Sequence, residues 1–325
     1  MIRKKRMIRE LKDGELISDI FVVKIKRGMF PYKNGHYFHL ILTDASGETM
    51  NYKYWGGQDE EKVRGIYESI KADDVVLVTG KVQSYRGNLE ISADESSEIR
   101  VLKEGEYDVN DFIEKEHRDI GEMLAELDRK IESIKSNELK TLLKAFFVDD
   151  LQFRKKFSEH PGAIMIHHNW RGGLLQHTLE VADYCELASK HYRDLDRDLL
   201  IAGALLHDIG KVKEIVTTTR IKGSRSGQLH GHITQGVIML SEKMKELGLS
   251  EDLKDKLIHI MISHHGELEY GSIKAPMFPE ALAVYLADLM SSQITEIVEF
   301  RRRSISKTED DFMYSKRRSR NILLK

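Results

Sequence analysis

The period of the hydrophobic pattern changes near residue 104 of this 325-residue chain. Before this point, short apolar stretches with alternating side chains are separated by turn residues, a pattern typical of β-strands. After residue 117, apolar residues recur at steps of three and four, which is typical of helices that pack on one face. The sequence therefore predicts an all-β unit followed by an all-α unit. The predicted ranges are 14–103 for the β domain, 104–116 for an acidic linker, 117–300 for the helical bundle and 301–325 for a basic extension.

The first domain contains five predicted strands and one predicted helix. The helical segment, 58–71, lies between the third strand and the fourth. Five strands with a helix at this place are typical of an OB-fold barrel. The strands are predicted at 15–27, 36–43, 48–55, 75–85 and 88–102.

Alternation within the second and third strands divides their side chains between two faces. The inner face is expected to hold Phe38, Leu40, Leu42, Met50, Tyr52 and Tyr54. The outer face is then expected to carry Tyr37, His39, Lys53 and Trp55. Aromatic rings beside a cation can stack bases and hold phosphates. The same aromatics could equally belong to a small β core, so both interpretations stay open.

Composition and charge narrow the class of protein. The chain has one cysteine, Cys185, and therefore no intramolecular disulfide, which favours a reducing, cytoplasmic compartment. No uninterrupted apolar stretch approaches the roughly 18 residues that cross a bilayer, so no membrane span is expected. The 51 basic and 53 acidic residues nearly balance in total.

Charge is distributed less evenly than its total suggests, because both ends of the chain are basic. Residues 1–12 carry six Lys or Arg, and residues 301–325 carry nine. A polyanion such as nucleic acid would be attracted to such ends. Plain solubilising tails are the alternative interpretation.

Histidines are concentrated in the helical domain. Eleven of the fourteen lie between His160 and His265. Each inward histidine taken alone is explained by ordinary core packing, but Asp288 lies in an apolar helical run where an unpaired carboxylate would be costly. A cation held by neutral imidazoles and by Asp288 would satisfy all of these groups together. The candidate ligands are His177, His207, Asp208, His232, His264, His265 and Asp288.

The order H…HD…H…HH…D of these residues resembles the signature of the HD superfamily of metal-dependent phosphohydrolases. The resemblance implies a site for two divalent ions, with Asp208 bridging them. It assigns His177, His207, Asp208 and Asp288 to the first ion, and His232, His264 and His265 to the second. Imidazole and carboxylate ligands suit Mn²⁺, Fe, Co²⁺ or Zn²⁺, and such a pair activates a water for attack on a phosphate ester.

Three further features near the ligands carry candidate catalytic or substrate-binding groups. Lys211 follows one turn after Asp208 and could neutralise a phosphate oxygen, or it could be a solvated lysine after a helix end. The stretch 167–173 could bind substrate or form a tight turn. The segment 217–231 has no apolar period and is expected to be a mobile basic loop. The substrate-binding candidates in these two segments are His167, His168, Asn169, Arg171, Gly172, Gly173, Arg220, Lys222 and Arg225.

An OB-like barrel ahead of the motifs HHNWRGGLLQHT, LLHDIGK and SHHG resembles the YhaM-type 3′-to-5′ exoribonucleases over about residues 14–300. The resemblance implies trimming of single-stranded RNA, and often DNA, from the 3′ end with a divalent metal, typically Mn²⁺. Two other functions stay open. One is an HD phosphodiesterase acting on cyclic or mononucleotides, and the other is a non-catalytic single-strand-binding protein with a structural metal site. A homo-oligomer also stays open.

Overall fold

The computed structural model describes residues 1–114, 118–165, 167–305 and 308–325. Contacts between Cα atoms divide the chain into two compact units. The first comprises Met1–Lys115 with Thr217–Ile221, and the second comprises Glu116–Val216 with Lys222–Lys325. The end of the predicted linker and part of the predicted basic extension, residues 115–116 and 306–307, lie outside the described residues.

The first unit contains the OB-fold strands in one six-stranded sheet. Its elements are β1 (Leu16–Tyr32), β2 (Gly35–Thr43), β3 (Thr49–Trp55), α1 (Glu60–Ser69), β4 (Val75–Tyr85), β5 (Asn88–Asp94) and β6 (Ile99–Val101). The strand order is β1-β2-β3-β5-β4-β6, and β1 also pairs with β4. The β3–β5 pair is parallel, whereas the other pairs are antiparallel. The predicted helix lies between the third and fourth strands, as expected.

The predicted strand 88–102 is divided in the structure. The Asp94 carboxylate accepts hydrogen bonds from the hydroxyls of Ser96 and Ser97, at 2.6 and 3.3 Å. Side-chain bonds of this kind favour a turn over continued strand pairing. The chain therefore leaves the sheet after Asp94 and returns at Ile99, which gives six strands where the sequence predicts five.

Side-chain burial confirms the alternation predicted for β2 and β3. Phe38, Leu40 and Leu42 are 0% exposed, whereas Tyr37 and His39 on the opposite face are only partly buried. The inner set of β3, Met50, Tyr52 and Tyr54, is also buried. These side chains belong to one apolar cluster that extends across β1, β4 and β5.

The described part of the predicted linker packs against the first unit. A short 3₁₀ helix covers Val109–Phe112, and Phe112 is buried in a small apolar cluster with Ile20 and Leu102. An acidic segment without a helical or strand period can still pack when it carries one large apolar side chain. Residues 104–114 are therefore part of the folded unit.

The basic N-terminus is also folded onto the first unit. Lys4 Nζ lies 3.1 Å from Asp19 Oδ2, and both side chains are almost fully buried. Arg3 Nη2 lies 2.6 Å from Asp111 Oδ1. These ion pairs compensate two of the six positive charges and hold the start of the chain against the first unit.

The second unit is mostly helical. Several of its helices begin at an Asp or Ser whose side chain accepts a hydrogen bond from a backbone N–H of the first turn, as at Asp119, Ser136 and Asp196. The helices are α2 (Ile120–Glu132), α3 (Asn137–Phe147), α4 (Leu151–Glu159), α5 (Gly173–His191), α6 (Arg197–Leu206), α7 (Lys211–Glu214), α8 (Arg225–Leu247), α9 (Glu251–Ser263) and α10 (Pro279–Ser304).

Two short hairpins interrupt the predicted all-α pattern. One pairs β7 (Ile215–Thr217) with β8 (Ile221–Gly223), and the other pairs β9 (Phe312–Ser315) with β10 (Arg320–Leu323). The predicted mobile loop 217–231 is therefore ordered as a hairpin followed by the start of α8. Ser224 caps that helix by accepting a hydrogen bond from the Gly227 N–H at 2.8 Å, a local signal that periodicity does not detect.

Among the described helices, α10 alone is long and apolar enough to cross a membrane, judged by length and composition. The expectation of no span rested on uninterrupted apolar runs, whereas α10 reaches the threshold despite its charged residues. Packed core helices pass the same criterion. An exposed apolar stripe with a spacing of four follows this helix: Leu282, Leu286, Met290, Ile294 and Val298.

Candidate metal centre and active site

Five helical elements of the second unit bring the candidate ligands together. Asp208 directly follows His207 at the end of α6, and Asp288 lies on α10. His232 starts the second segment of α8, because Gly231 adopts φ +69° and kinks the helix just before it. The other histidines are His177 on α5 and His264 and His265 after α9.

Asp208 lies between two groups of histidines. Its Oδ2 is 3.5 Å from His177 Nε2 and 3.3 Å from His207 Nε2. Its Oδ1 is 3.5 Å from His232 Nε2 and 3.7 Å from His264 Nε2. Each oxygen of one carboxylate therefore faces its own pair of imidazole nitrogens.

These ligand atoms fall into two sets that could each hold an ion. The potential donor atoms within each set all lie within 4.8 Å of one another. The sets are His177, His207 and Asp208, and His232, His264 and His265. Asp288 adds a carboxylate to the first set, since its Oδ1 lies 3.0 Å from His177 Nε2.

Unsatisfied polar atoms show that this centre fits a cation. Asp208 Oδ1, His232 Nε2 and His264 Nε2 are buried without a hydrogen-bond partner. Buried polar atoms are nearly always hydrogen-bonded, so such a group of three requires an explanation. Divalent ions that accept imidazole and carboxylate ligands would satisfy all of them.

Hydrogen bonds to backbone carbonyls orient two of the imidazole rings. His207 Nδ1 lies 2.7 Å from the Ala204 carbonyl oxygen, and His264 Nδ1 lies 2.7 Å from that of Met261. A carbonyl only accepts, so Nδ1 carries the proton in both rings. The Nε2 lone pair of each ring is therefore left for a cation.

Side chains orient the rings of His177 and His232. The Ser291 hydroxyl donates to Glu180 Oε2 at 2.7 Å and lies 3.0 Å from His177 Nδ1. His232 Nδ1 lies 3.1 Å from Glu214 Oε2. Such outer partners fix the ring orientation and increase ligand basicity. Sequence reasoning missed them, although Glu180 follows His177 by three residues on the same helix face.

Electrostatics favour neutral imidazoles at His177 and His264 beside ionised carboxylates, whereas Asp208 outweighs burial and raises the pKa of His207. Burial lowers the pKa of His177 and takes that of His264 well below its usual range. Burial alone would raise the pKa of Asp208, but the charges of Lys211 and His207 outweigh it and hold that pKa well below its usual range. Metal ions bind the same protonation states.

A cavity of about 570 Å³ opens onto the ligand cluster. Asp208, His265 and Asp288 form part of its wall, together with Lys211. Lys211 Nζ lies 2.6 Å from Asp208 Oδ2 and its side chain is 12% exposed, so it points into the centre rather than to bulk solvent. The arrangement therefore provides a lined cavity beside two potential cation sites.

The residues of the stretch 167–173 lie in different environments. His167 lines the cavity, whereas His168 is 0% exposed and its Nε2 lies 3.1 Å from Glu180 Oε2. A Cβ on Gly173 would lie 2.0 Å from the His168 carbonyl oxygen. The backbone itself therefore requires this glycine, and His168 supports Glu180, whereas substrate contact by these two residues stays a prediction.

Asn169 and Arg171 of the same stretch do not line the cavity. Asn169 Oδ1 accepts a hydrogen bond from Arg303 Nη2 at 3.3 Å, and Arg171 Nη2 lies 3.0 Å from Glu159 Oε1. Gly172, with φ +81°, is the N-cap of α5. These residues fix how the chain enters the His177 helix.

The basic residues predicted around 220 are also not on the cavity wall. Arg220 forms an ion pair with Asp73 within the first unit. Lys222 lies on β8, and Arg225 is the exposed first residue of α8. Substrate binding by these three residues stays a prediction.

The outer face of the OB-fold sheet carries a cluster of aromatic rings. Tyr37 and Trp55 are stacked, with centroids 4.8 Å apart, and Tyr32 meets Trp55 edge-on at 5.0 Å. Phe30 packs beside Tyr37 at 5.7 Å and is exposed. Sequence reasoning missed Phe30 and Tyr32, because β1 continues farther than its predicted end at 27.

The polar residues of this face already have partners. Lys53 Nζ lies 2.7 Å from Glu90 Oε2, and His39 Nε2 lies 2.9 Å from Asn51 Oδ1. The positive charge predicted for phosphate contact is therefore compensated by Glu90. The aromatic rings are the groups on this face that remain suited to stacking.

Two solved structures with detectable similarity each match less than half of this chain. The Stn1–Ten1 complex of S. pombe is 24% identical, with a TM-score of 0.21; the match covers 27% of this chain and 59% of that one. The HD domain of the L. monocytogenes phosphodiesterase PgpH is 16% identical, with a TM-score of 0.27, and the match covers 41% of this chain and 75% of that one.

Family models assign both units directly. The model of the OB-fold nucleic acid binding domain matches residues 21–102, and that of the HD domain matches residues 174–292. The second match spans the ligands from His177 to Asp288, and the first spans the aromatic face of the sheet. The chain therefore combines a segment that matches the OB-fold nucleic acid binding domain with a segment that matches the HD domain.

Proposed function

We propose that the chain is a metal-dependent 3′-to-5′ exonuclease that hydrolyses single-stranded RNA, and also DNA, to nucleoside monophosphates. The observation that carries the proposal is the position of Asp208, whose two oxygens face separate pairs of histidines. A nucleic-acid-binding domain in the same chain supplies the class of phosphodiester.

The centre would hold two divalent ions, with Mn²⁺ favoured over Fe, Co²⁺ and Zn²⁺. Such ions lower the pKa of a bound water and stabilise charge on phosphoryl oxygens. The residues that would hold them are His177, His207, Asp208 and Asp288 on one side and Asp208, His232, His264 and His265 on the other.

The chain's own groups prepare this centre for a phosphodiester. Lys211 keeps its charge, because Asp208 outweighs the effect of burial and raises the lysine pKa. Its ammonium lies on the cavity wall and can donate to a non-bridging phosphate oxygen. Glu180 and Glu214 keep the rings of His177 and His232 in place while a substrate enters.

The aromatic cluster of the OB-fold sheet would hold the single strand away from the reacting bond. Phe30, Tyr32, Tyr37 and Trp55 offer rings on which bases stack without regard to sequence. Such binding matches a processing enzyme that must accept every sequence.

A labelled strand tests the proposal against its alternatives. A 5′-labelled single strand incubated with Mn²⁺ should give a ladder that shortens from the 3′ end, whereas a 3′-labelled strand should release labelled mononucleotide at once. A circular strand should resist cleavage. Hydrolysis of cyclic or mononucleotides alone would favour the small-molecule phosphodiesterase, and tight binding without hydrolysis would favour the non-catalytic protein.

Self-association and a cytoplasmic location belong to the same proposal. The exposed stripe on α10 supports a homo-oligomer, because five apolar side chains in one row are costly in water. Sedimentation of the purified chain, compared with a Leu286→Glu variant, tests the first point. If the wild-type chain sediments as a monomer, the proposed self-association is wrong.

A further inference from the structure

The turn of the C-terminal hairpin lies at the cavity of the HD domain. β9 and β10 pair antiparallel, and the turn between them spans residues 316–319. Arg317 and Arg318 of this turn line the same cavity as Asp208 and Asp288. The sequence predicts this segment only as part of a basic extension.

Arg318 anchors the turn to α10. Its Nε and Nη2 lie 3.0 and 2.9 Å from the two carboxylate oxygens of Glu296, and its Nη1 donates to Gln293 Oε1 at 3.0 Å. A bidentate pair of this kind fixes the direction of a guanidinium as well as its position. The side chain is 15% exposed, so Arg318 is a structural anchor whose charge Glu296 compensates.

The hairpin is held at a second place near the end of the chain. Arg301 donates two hydrogen bonds to the Leu324 carbonyl oxygen, at 3.3 and 3.2 Å. Leu324 is fully buried, and Ile322 is nearly so. The turn is therefore carried by a packed element, and its arginines have a defined place at the cavity.

Arg317 differs from its neighbour. Its side chain is 61% exposed, and its Nε lies 3.4 Å from Glu296 Oε2, the oxygen that Arg318 already contacts. A guanidinium carries five N–H donors in a planar fork that matches phosphate geometry. Arg317 therefore presents donors and positive charge to a ligand in the cavity.

Two tyrosines line the same cavity. The ring of Tyr285 packs against Gly266, where a Cβ would lie 2.3 Å from the ring, so the ring has a defined place. Tyr270 is 65% exposed. Aromatic rings in a cavity beside a phosphate-binding cation are suited to stacking a nucleobase.

We infer that the hairpin turn is a substrate-binding element that recognises the backbone phosphate next to the scissile one. Arg317 binds that second phosphate, and Tyr270 and Tyr285 stack on the adjacent base. The cavity thereby selects a strand over a lone nucleotide, which has no second phosphodiester. This inference rests on the proposed function, because it assumes that the bond cleaved belongs to a nucleic acid strand.

Two dinucleotides isolate the contribution of the second phosphate. A dinucleoside monophosphate contains the scissile phosphate alone, whereas its 5′-phosphorylated form contains one more. The full-length chain with Mn²⁺ should prefer the phosphorylated form about tenfold in kcat/KM, mainly through KM, as expected for one charged hydrogen-bonded contact. Arg317→Ala should remove the preference, so that both forms are hydrolysed with the same kcat/KM.

Lys316→Ala is the matched control. Lys316 is an exposed cation in the same turn but not on the cavity wall, so the variant has the same change in net charge. It should keep the tenfold preference. Equal loss in both variants would mean general electrostatic attraction, and a preference retained in Arg317→Ala would mean that the turn does not bind the phosphate; either result overturns the inference.

Binding measurements separate this inference from the proposed function. Affinities of both dinucleotides are measured by calorimetry on the full chain with metal chelated. If the wild-type chain hydrolyses neither dinucleotide, the exonuclease proposal fails, and the inference then stands or falls on whether Arg317→Ala alone removes the affinity difference. If hydrolysis occurs without any affinity or KM difference, the exonuclease proposal survives and the inference is wrong.

Discussion

The ligand cluster of the HD domain and the outer face of the OB-fold sheet treat polar groups in opposite ways. In the cluster, buried atoms such as Asp208 Oδ1 and His264 Nε2 have no hydrogen-bond partner. On the sheet, Lys53 and His39 are partly exposed and already paired with Glu90 and Asn51. A buried polar atom without a hydrogen-bond partner is costly unless a ligand binds it. A surface whose polar groups already have partners is stable without a ligand, although its exposed rings can bind one. The ligand cluster therefore requires a bound cation, whereas the outer face of the sheet is only compatible with a bound strand.

The largest expected effect on hydrolysis comes from a substitution of Asp208, whose carboxylate lies between the two sets of histidines. Asp208→Asn keeps the shape of the side chain but removes the charge that both sets of histidines share. We expect hydrolysis to fall by at least about a thousandfold, since a bridging carboxylate contributes to both ions. The bound Mn²⁺ measured by atomic absorption should fall with it.

Asp194→Asn is the control for that variant. Asp194 is exposed in the same domain and faces no histidine of the cluster, so activity and metal content should remain unchanged. Full metal content and full activity in Asp208→Asn would mean that the unsatisfied atoms of the cluster are not ligands. The contrast between the two regions would then disappear.

His160 is buried, but unlike the ligand histidines it has a hydrogen-bond partner in the protein. It therefore tests whether burial without metal binding gives a different behaviour. It is 6% exposed and donates from Nε2 to the Lys211 carbonyl oxygen at 3.0 Å. Burial lowers its pKa to about 4, against 6.5 for the free side chain. The folded chain therefore binds fewer protons than the unfolded chain between these values, so stability is full above pH 6.5 and falls as the pH drops toward 4.

The expected loss attributable to His160 over that range is about 3 kcal/mol of unfolding free energy. His160→Gln, which can still donate to the same carbonyl, should flatten the pH dependence by this amount in urea titrations with metal chelated. Its metal content should equal that of the wild-type chain. Loss of metal in His160→Gln would contradict this expectation, because it would mean that a buried histidine with a hydrogen-bond partner also contributes to metal binding.

The smallest expected effect concerns the sheet. Trp55→Ala removes the ring on which Tyr37 and Tyr32 pack, and loss of one stacking ring weakens single-strand binding by about tenfold. Hydrolysis of a dinucleotide should not change. Tyr192→Ala, at an exposed tyrosine of the HD domain, is the control. Unchanged affinity for a long strand in Trp55→Ala would remove the sheet from the account of substrate binding.

The sequence was sufficient where regular spacing determined the outcome. Alternation in β2 placed Phe38 inside and Tyr37 outside, because strand side chains point to opposite faces. His177, His207 and His232 are separated by 30 and 25 residues, which is enough to place them on different helices, and they lie on α5, at the end of α6 and on α8. Whether each of these residues binds metal stays a prediction.

The sequence was insufficient where a residue's neighbour lies far away in the chain. Arg220, which the sequence presents as a free cation, pairs with Asp73, and the His168 carbonyl occupies the space beside Gly173. The arginines at 317–318 had no period to place them, because β9 and β10 are only four residues each. Tertiary contacts decided all three.

Anomalous diffraction from Mn²⁺ in crystals of the full chain tests the central claim most directly. Asp208 should divide two metal positions, so we expect two peaks in the HD domain. One should contact Asp208 Oδ2, His177 and His207, and the other should contact Asp208 Oδ1, His232 and His264. A chain saturated with Mn²⁺ that showed no peak at Asp208, or peaks only at surface carboxylates, would contradict the account.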